Sequence, residues 1–555
     1  MSHPSASSSS SCPPVSVACS ALTHEWRDGT TVFDGLDVSF GPGRTGLIGV
    51  NGSGKSTLLK VIAGEIRPSG GSVRVAGEVG YLPQDATLDT ALRVEDVLGI
   101  AGTRAALHAI EAGDAREEHF AAVGDDWDVE ERATATLAGL GLGHIGLDRT
   151  TGELSGGESV LLRLAALLLR RPDVLLLDEP TNNLDLYARR RLYAAVEAWS
   201  GVLIVVSHDR ELLERVDRIA DLRAGGVAWY GGGYSAYEEA VAAEQEAAER
   251  MVRAAESDLR KQRRELADAH VVLARRKRYG HKMWDSKREP KIVMGARKRQ
   301  AEVSAGKHRI LHEERVAEAR EKLDKAVESV RDDDEIRVDL PHTAVPPGRS
   351  VLTLRELVLP HGARVEGESE LRGPERVALV GRNGSGKTTL LRTIAGELDA
   401  VSGTVTAHVP LRFLPQRLDV LDDGLTVVEN VARFAPEATP NEIRARLARF
   451  LFRGARATQR TATLSGGERF RATLAALMLA EPAPQLLLLD EPTNNLDMAS
   501  VRQLTTALES YEGALIVASH DLRFLESIGV TRWLRLDGGL RDTTGEEVRA
   551  GTTDA

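Results

Sequence analysis

Hydrophobic and polar positions along the chain follow two regimes. In residues 21–240 and 336–555, short runs are apolar at successive positions: Leu47-Ile48-Gly49, Val174–Leu177, Ala378-Leu379-Val380 and Leu486–Leu489. Runs this short that do not alternate predict strands buried on both faces, as in a parallel sheet. Leu58-Leu59-Lys60 and Leu390-Leu391-Arg392 open helices after the first members of each set. Between residues 241 and 335 the spacing changes to three and four. Val252, Ala255, Leu259, Gln262, Leu266, Ala269 and Leu273 form one such row, and Val316, Ala319, Leu323, Ala326 and Val330 a second. Rows of this kind predict a coiled-coil seam, so residues 241–335 read as an antiparallel helical hairpin with its tip at about 274–309. A helix of roughly 33 residues rises about 50 Å, which puts that tip far from the flanking domains. The fold class is α/β, with two parallel-sheet domains joined by an α-helical coiled-coil hairpin.

The two flanking regions are copies of one another. Gly49-Val-Asn-Gly-Ser-Gly-Lys-Ser recurs as Gly381-Arg-Asn-Gly-Ser-Gly-Lys-Thr, and Leu154-Ser-Gly-Gly-Glu as Leu464-Ser-Gly-Gly-Glu. Asp178-Glu-Pro-Thr-Asn-Asn-Leu-Asp recurs from Asp490. Each lysine is followed 29 residues later by a glutamine, Gln84 or Gln416, and each motif glutamate 29 residues later by a histidine, His208 or His520. Ordered motifs at matched spacing identify a tandem duplication. The stretch from Gln84 to Leu154 holds 69 residues against 47 in the second copy, so the first carries about 22 extra residues. These are expected as a small helical insertion within about 98–135.

The motifs carry phosphate chemistry. Gly-x4-Gly-Lys-[Ser/Thr] between a strand and a helix turns backbone N–H groups towards phosphate oxygens at a helix N-terminus. Gly49, Asn51, Gly52, Gly54, Lys55, Ser56 and Thr57 in the first copy, and Gly381, Asn383, Gly384, Gly386, Lys387, Thr388 and Thr389 in the second, make up these loops. Lys55 and Lys387 would meet the β- and γ-phosphates, and Ser56 and Thr388 would ligate Mg²⁺. Asp178 and Asp490, at the ends of apolar runs, suit the same cation. Glu179 and Glu491 are placed to act as general bases on water. Ser155-Gly156-Gly157 and Ser465-Gly466-Gly467 open further helices that favour anions. Since each copy already owns a phosphate loop, these termini suit the other copy's nucleotide.

Composition narrows the setting. The only cysteines, Cys12 and Cys19, lie in the Ser/Pro-rich start, and residues 1–20 are expected as a disordered tail. Two thiols supply neither a disulfide framework nor a cysteine metal cluster, which fits a reducing cytoplasm. No apolar stretch reaches the 18 or so residues of a membrane span, so a soluble protein is expected. Net charge is −11, but residues 260–309 hold 17 Lys/Arg against 5 Asp/Glu, an excess of +12 that leaves −11 − 12 = −23 elsewhere. One basic segment on an acidic body predicts a single localised polyanion contact.

Taken together, these motifs resemble the ATP-binding-cassette superfamily. That resemblance implies head-to-tail sites, in which Ser155 and Gly157 complete the site of Lys387, and Ser465 and Gly467 that of Lys55. It also implies that Gln84 and Gln416 sense Mg²⁺ and the attacking water, and that His208 and His520 contact the γ-phosphate. Asp185 and Asp497 would link the sites, and an aromatic ring, here Trp26, would stack on adenine. The second copy has Val358 at that position.

Paired Glu-Pro-Thr-Asn-Asn-Leu-Asp motifs, the segment Gly232-Gly-Tyr-Ser-Ala-Tyr and the basic hairpin resemble the ABC-F class of translation factors. Two cysteines cannot supply the iron–sulfur cluster of the ABC-E class. Chromosome-structuring ATPases place their coiled coil inside one domain, and here it lies between two complete ones. The ABC-F resemblance implies a monomer with an intramolecular cassette dimer that binds the ribosome at the tRNA exit site. Its linker tip would reach peptidyl-tRNA and the peptidyl-transferase centre. Tip residues Arg275, Arg276, Lys277, Arg278, Lys282, Lys287, Arg288, Arg297, Lys298 and Arg299 suit RNA phosphates, while Tyr279 and Trp284 suit bases. The long tip and short insertion resemble the antibiotic-resistance members. A housekeeping member of the class, or the ATPase subunit of a membrane transporter, are the alternatives.

Overall fold

Each continuous apolar run forms a central strand. In the computed structural model, Val174–Asp178 and Val202–Val206 of the first copy, and Leu486–Asp490 and Ala514–Ala518 of the second, are buried along their whole length. The structure describes residues 16–84, 89–182, 184–223, 226–285, 291–329, 340, 342–417, 419–494 and 496–551.

The first copy builds a six-stranded sheet in the order Val79–Leu82, Val174–Asp178, Val202–Val206, Gly43–Ile48, Arg218–Arg223, Gly226–Gly231. All neighbours are parallel except the last pair. A separate antiparallel sheet is made by Thr31–Phe40, Ser16–Glu25 and Gly70–Ala76. The second copy repeats both, but a bridge from Arg364 to Gly539 joins them into one nine-stranded sheet. The helices Lys55–Ile62 and Lys387–Ile394 turn buried leucines, Leu58 and Leu59 or Leu390 and Leu391, onto these sheets. Each phosphate loop thereby lies at the carboxyl end of a central strand, where ligands of open α/β sheets bind.

Three readings need correction. Residues 16–20 are not tail, because the first strand begins at Ser16; residues 1–15 lie outside the described residues. Cys19 is not an incidental thiol. It pairs with Val38 and Val73 inside the antiparallel sheet, and burial pushes its thiol up to about 11. The helical linker also begins earlier and has less of a tip than expected. Tyr234–Asp285 is one helix of 52 residues and Lys291–Ser329 another of 39, so most of 274–309 is helical. At 1.5 Å per residue the longer helix spans about 78 Å.

The linker, Ser235–Asp333, is a compact unit of its own. Its three-and-four rows are the positions withdrawn from solvent, with Leu259, Ala319 and Ala326 fully buried and Val252, Leu266, Leu273, Val316 and Leu323 partly so. Two helices packed along a shared seam give this pattern. Val330 lies outside the described residues.

The first-copy insertion is helical, as Ala101–Glu111, Glu117–Val123 and Val129–Gly139. Arg104 ties it to the cassette, bonding Glu95 at 2.7 Å, Glu130 at 2.6 Å and Asp148 at 2.6 Å. Among the described residues no helix is long and apolar enough to cross a membrane.

Candidate active sites

Glycine geometry opens both phosphate loops. Gly49 and Gly381 sit at φ 153° and 159°, and a Cβ there would come within 2.5 Å of the Leu222 carbonyl or 2.3 Å of the Leu536 carbonyl. Only glycine lets the loop leave its strand this close to the neighbouring strand. Lys55 then folds back, its Nζ donating to the carbonyls of Gly49 at 2.8 Å and Val50 at 3.2 Å. Lys387 does the same to Gly381 at 2.8 Å and Arg382 at 3.1 Å. Burial lowers the pKa of both ammoniums. Each is a cation held out of water beside a ring of loop amides, where phosphate oxygens would satisfy it.

Asp178 and Asp490 are each 1% exposed, and burial raises both. Asp178 is partnered, by Ser56 Oγ at 3.0 Å and Tyr81 OH at 3.4 Å. Asp490 is not: both its carboxylate oxygens are buried without a hydrogen-bond partner. Part of the difference traces to Phe413, which stands where the first copy has Tyr81 and offers no hydroxyl. A buried orphan carboxylate is costly unless a cation meets it, and with Thr388 beside it the donors are all hard oxygens, which fits Mg²⁺. Among the described residues no three His, Cys, Asp or Glu gather at one point, so one carboxylate, one hydroxyl and substrate oxygens would hold the ion. Gln84 and Gln416 follow the strands Val79–Leu82 and Leu411–Leu414 at exposed positions.

The candidate bases sit on strained backbone. Glu179 and Glu491 adopt φ 48° and 45°, the left-handed region that non-glycine residues rarely use. Their N–H groups donate to Val206 and Ala518 at 2.8 Å, which locks the turn. Sequence reasoning did not anticipate this strain; it depends on the neighbouring strand supplying an acceptor. Glu179 Oε1 lies 3.2 Å from His208 Nε2, and Glu491 Oε1 lies 3.2 Å from His520 Nε2.

Burial pushes Glu179 up to about 8 and Glu491 up to about 7, and it pushes His208 down to about 3 and His520 well below its usual value. In each pair burial therefore favours the uncharged form of both the carboxyl and the imidazole. A base must be ionised to take a proton, and a raised carboxyl pKa means ionisation is gained as pH rises. Turnover is thus expected to increase between about pH 6 and pH 8. A kcat–pH profile checks this, and a rate flat across that range would count against these bases.

Ser155 and Ser465 are the N-caps of Gly156–Arg170 and Gly466–Met478, each in a reciprocal capping box with Glu158 or Glu468. Among the contacts that join the two copies is a pair of aspartates, beside Arg190 Nη2 donating to Val548 O at 2.9 Å. Asp497 Oδ2 accepts from Asn51 N at 3.1 Å, and Asp185 Oδ2 accepts from Asn383 N at 3.1 Å. Burial alone would raise Asp497, but the amides of Ser500 and Asn51 hold it below its ordinary value. Each phosphate loop is thus buttressed by the opposite copy, an isologous arrangement. Tyr187 adds a one-sided contact, its ring 5.7 Å from the Arg382 guanidinium.

Trp26 follows the first strand, 43% exposed, in a T-shaped contact with His24 whose ring centroids lie 4.8 Å apart. Val358 ends the corresponding strand in the second copy. In the linker, Arg275, Arg278, Tyr279 and Lys282 are exposed. Arg276, Lys277, Trp284, Lys287, Arg288, Arg297, Lys298 and Arg299 lie outside the residues whose side chains are described.

The chain is similar to known proteins along most of its length. The ABC transporter family profile matches residues 33–182 and 368–494. The tylosin resistance ATP-binding protein TlrC of Streptomyces fradiae is 35% identical over 547 residues, covering 92% of this chain and 95% of its own length. The probable ATP-binding protein YheS of Escherichia coli K12 is 31% identical, over 89% of this chain and 75% of its own. Among solved structures, the RNase-L inhibitor shares the fold with a TM-score of 0.58 at 19% identity, covering 94% of this chain and 89% of that one.

Proposed function

The chain belongs to the ABC-F family of ATP-binding-cassette ATPases, and we propose that it is a cytoplasmic translation factor that binds the ribosome when ATP closes its two cassettes. The observation that carries this reading is the basic helical unit between two complete nucleotide sites. Residues 260–309 concentrate a charge of +12 on a chain whose remainder is acidic, and such a segment suits an RNA backbone. In this reading the cassettes dock near the tRNA exit site and the linker reaches towards the peptidyl-transferase centre. Its relative TlrC is named for tylosin resistance, which supports protection of ribosomes from a drug as the biological outcome.

At each nucleotide site the roles follow from position. Lys55 and Lys387 hold the terminal phosphates, with loop amides of Asn51 and Asn383 fixed by the opposing aspartates. Mg²⁺, when held by Asp178 with Ser56 or Asp490 with Thr388, neutralises charge on the phosphate oxygens. Glu179 and Glu491 take the proton of the attacking water, and His208 and His520 keep those carboxyls oriented. Ser155, Gly157, Ser465 and Gly467 complete the opposite site, Gln84 and Gln416 orient the water, and Trp26 stacks on the first adenine.

The test separates the linker from the ATP chemistry. Replacing Arg275, Arg276, Lys277 and Arg278 by alanine should leave intrinsic ATPase intact. It should also flatten the log–log salt dependence of ribosome binding by a few units if all four meet phosphates. Trp284→Ala should instead impair translation in the presence of tylosin with little loss of binding. Unchanged binding, salt slope and drug sensitivity in both variants would reduce the linker to a spacer.

A further inference from the structure

The helix Leu186–Glu197 of the first copy touches the second copy at three places. Its N-cap, Asp185, accepts from Asn383 N in the phosphate loop of Lys387 at 3.1 Å. Leu186, one residue on, packs against the second copy's apolar core. Arg190, five residues from Asp185 along the same helix, donates from Nη2 to the carbonyls of Val548, at 2.9 Å, and Arg549. Those two carbonyls belong to the last turn of the short helix Gly545–Ala550.

The final carbonyls of a helix have no N–H partner within it and carry partial negative charge, so a guanidinium suits them. Gly551 N closes part of this end by donating to Glu547 O, and Arg190 meets the next two carbonyls from the other copy. The helix it grips is firmly held. Val548 is 3% exposed within the second copy's core, and the Arg549 side chain pairs with Glu526. Gly551 sits at φ 58°, and a Cβ there would fall on Arg190 Nη1. Glycine at this position therefore serves twice, by adopting the left-handed turn and by leaving room for the arginine.

We propose that Arg190 is a positioning residue for the second nucleotide site. By clamping the helix Gly545–Ala550, it fixes where the helix Leu186–Glu197 lies along the second copy. That placement puts Asp185 on the Asn383 amide. A hydrogen bond weakens steeply with small displacements of its acceptor, so the rigid helix carries a distant contact into the phosphate loop. This role rests on the composite nucleotide sites described above and is independent of ribosome binding.

The test uses the full chain carrying Glu179→Gln and Glu491→Gln, loaded with a radiolabelled photoreactive ATP analogue, chased with unlabelled ATP and crosslinked at intervals. Proteolysis in the linker after denaturation lets label on the two cassettes be read apart. Arg190→Ala should speed release from the Lys387 site on the order of tenfold, the scale of losing hydrogen bonds from a charged donor, with the Lys55 site affected far less. Arg190→Lys should restore most of the retention, because one nitrogen makes both bonds and an ammonium can replace it. Gly551→Asn, which tolerates the left-handed turn, should displace the guanidinium and match Arg190→Ala, with no further loss when the two are combined.

Parental release from the Lys387 site in Arg190→Ala overturns the proposal. So does equal acceleration at both sites, or fast release that Arg190→Lys leaves uncorrected, either of which would mark a general packing defect. Should Arg190→Ala not fold, Gly551→Asn decides alone: fast release confined to the Lys387 site supports the clamp, and parental release refutes it. Asp185→Ser keeps a capping oxygen for Ala188 N but loses the one that meets Asn383. Fast release from the Lys387 site in that variant but not in Arg190→Ala removes the clamp and keeps the composite sites. Unchanged release in both removes both.

Discussion

Replacing both buried glutamates, Glu179→Gln and Glu491→Gln, is expected to lower ATP turnover by about 10²–10⁴-fold while leaving ATP binding intact. Glutamine keeps the volume and the acceptor oxygen that faces His208 or His520 at 3.2 Å, but it cannot take a proton from water. Because burial already shifts both carboxyls towards their neutral form, the uncharged glutamines should not disturb the fold. Nucleotide-free melting temperatures should match within a few degrees. Steady-state phosphate release beside equilibrium ATP binding makes the measurement. Turnover near the parental rate would remove the two glutamates from the role of base.

A comparably large effect is expected from Ser465→Arg, and in an unexpected place. Ser465 belongs to the second copy, yet the phosphate loop of Lys55 is the one that the second copy buttresses, through Asp497 on Asn51. A long cation at the helix N-cap would break the capping box with Glu468 and intrude on the opposite nucleotide. Occupancy of the Lys55 site in the closed state should fall on the order of 10²-fold or more. Site-resolved nucleotide trapping distinguishes the outcomes, because a loss confined to the Lys387 site would contradict composite sites.

Much of the fold was legible because duplication supplied two readings of each motif. Continuous apolar runs gave the central strands, and glycine spacing located both phosphate loops. The departures have physical causes. Ser16–Ser20 was read as tail because its Ser, Val, Ala and Cys residues lack a long apolar run. Pairing with both neighbouring strands, which sequence spacing does not reveal, makes it a strand. The linker helices run further than expected because Arg and Lys are good helix formers, so a basic stretch need not be a loop.

Site asymmetry was the least legible part. Phe413 in place of Tyr81 deprives Asp490 of the phenol that Asp178 meets, and Arg189 pairs with Asp209 where the second copy has Val501. Both contrasts sit at aligned positions of the repeat, but only the folded contacts say that they matter. The left-handed backbone at Glu179 and Glu491 carried no sequence signal at all, since glutamate is not a residue that favours it.

The central claim is that ATP-driven closure of the cassettes produces a ribosome-binding form. It is tested most directly by sedimenting ribosomes with the protein carrying Glu179→Gln and Glu491→Gln, with and without ATP, across a salt series. The account predicts that the protein pellets with ribosomes when ATP is present, that binding weakens steeply as salt rises, and that without ATP it stays in the supernatant. Protein left in the supernatant with ATP at every salt concentration, or pelleting equally without nucleotide, would contradict it.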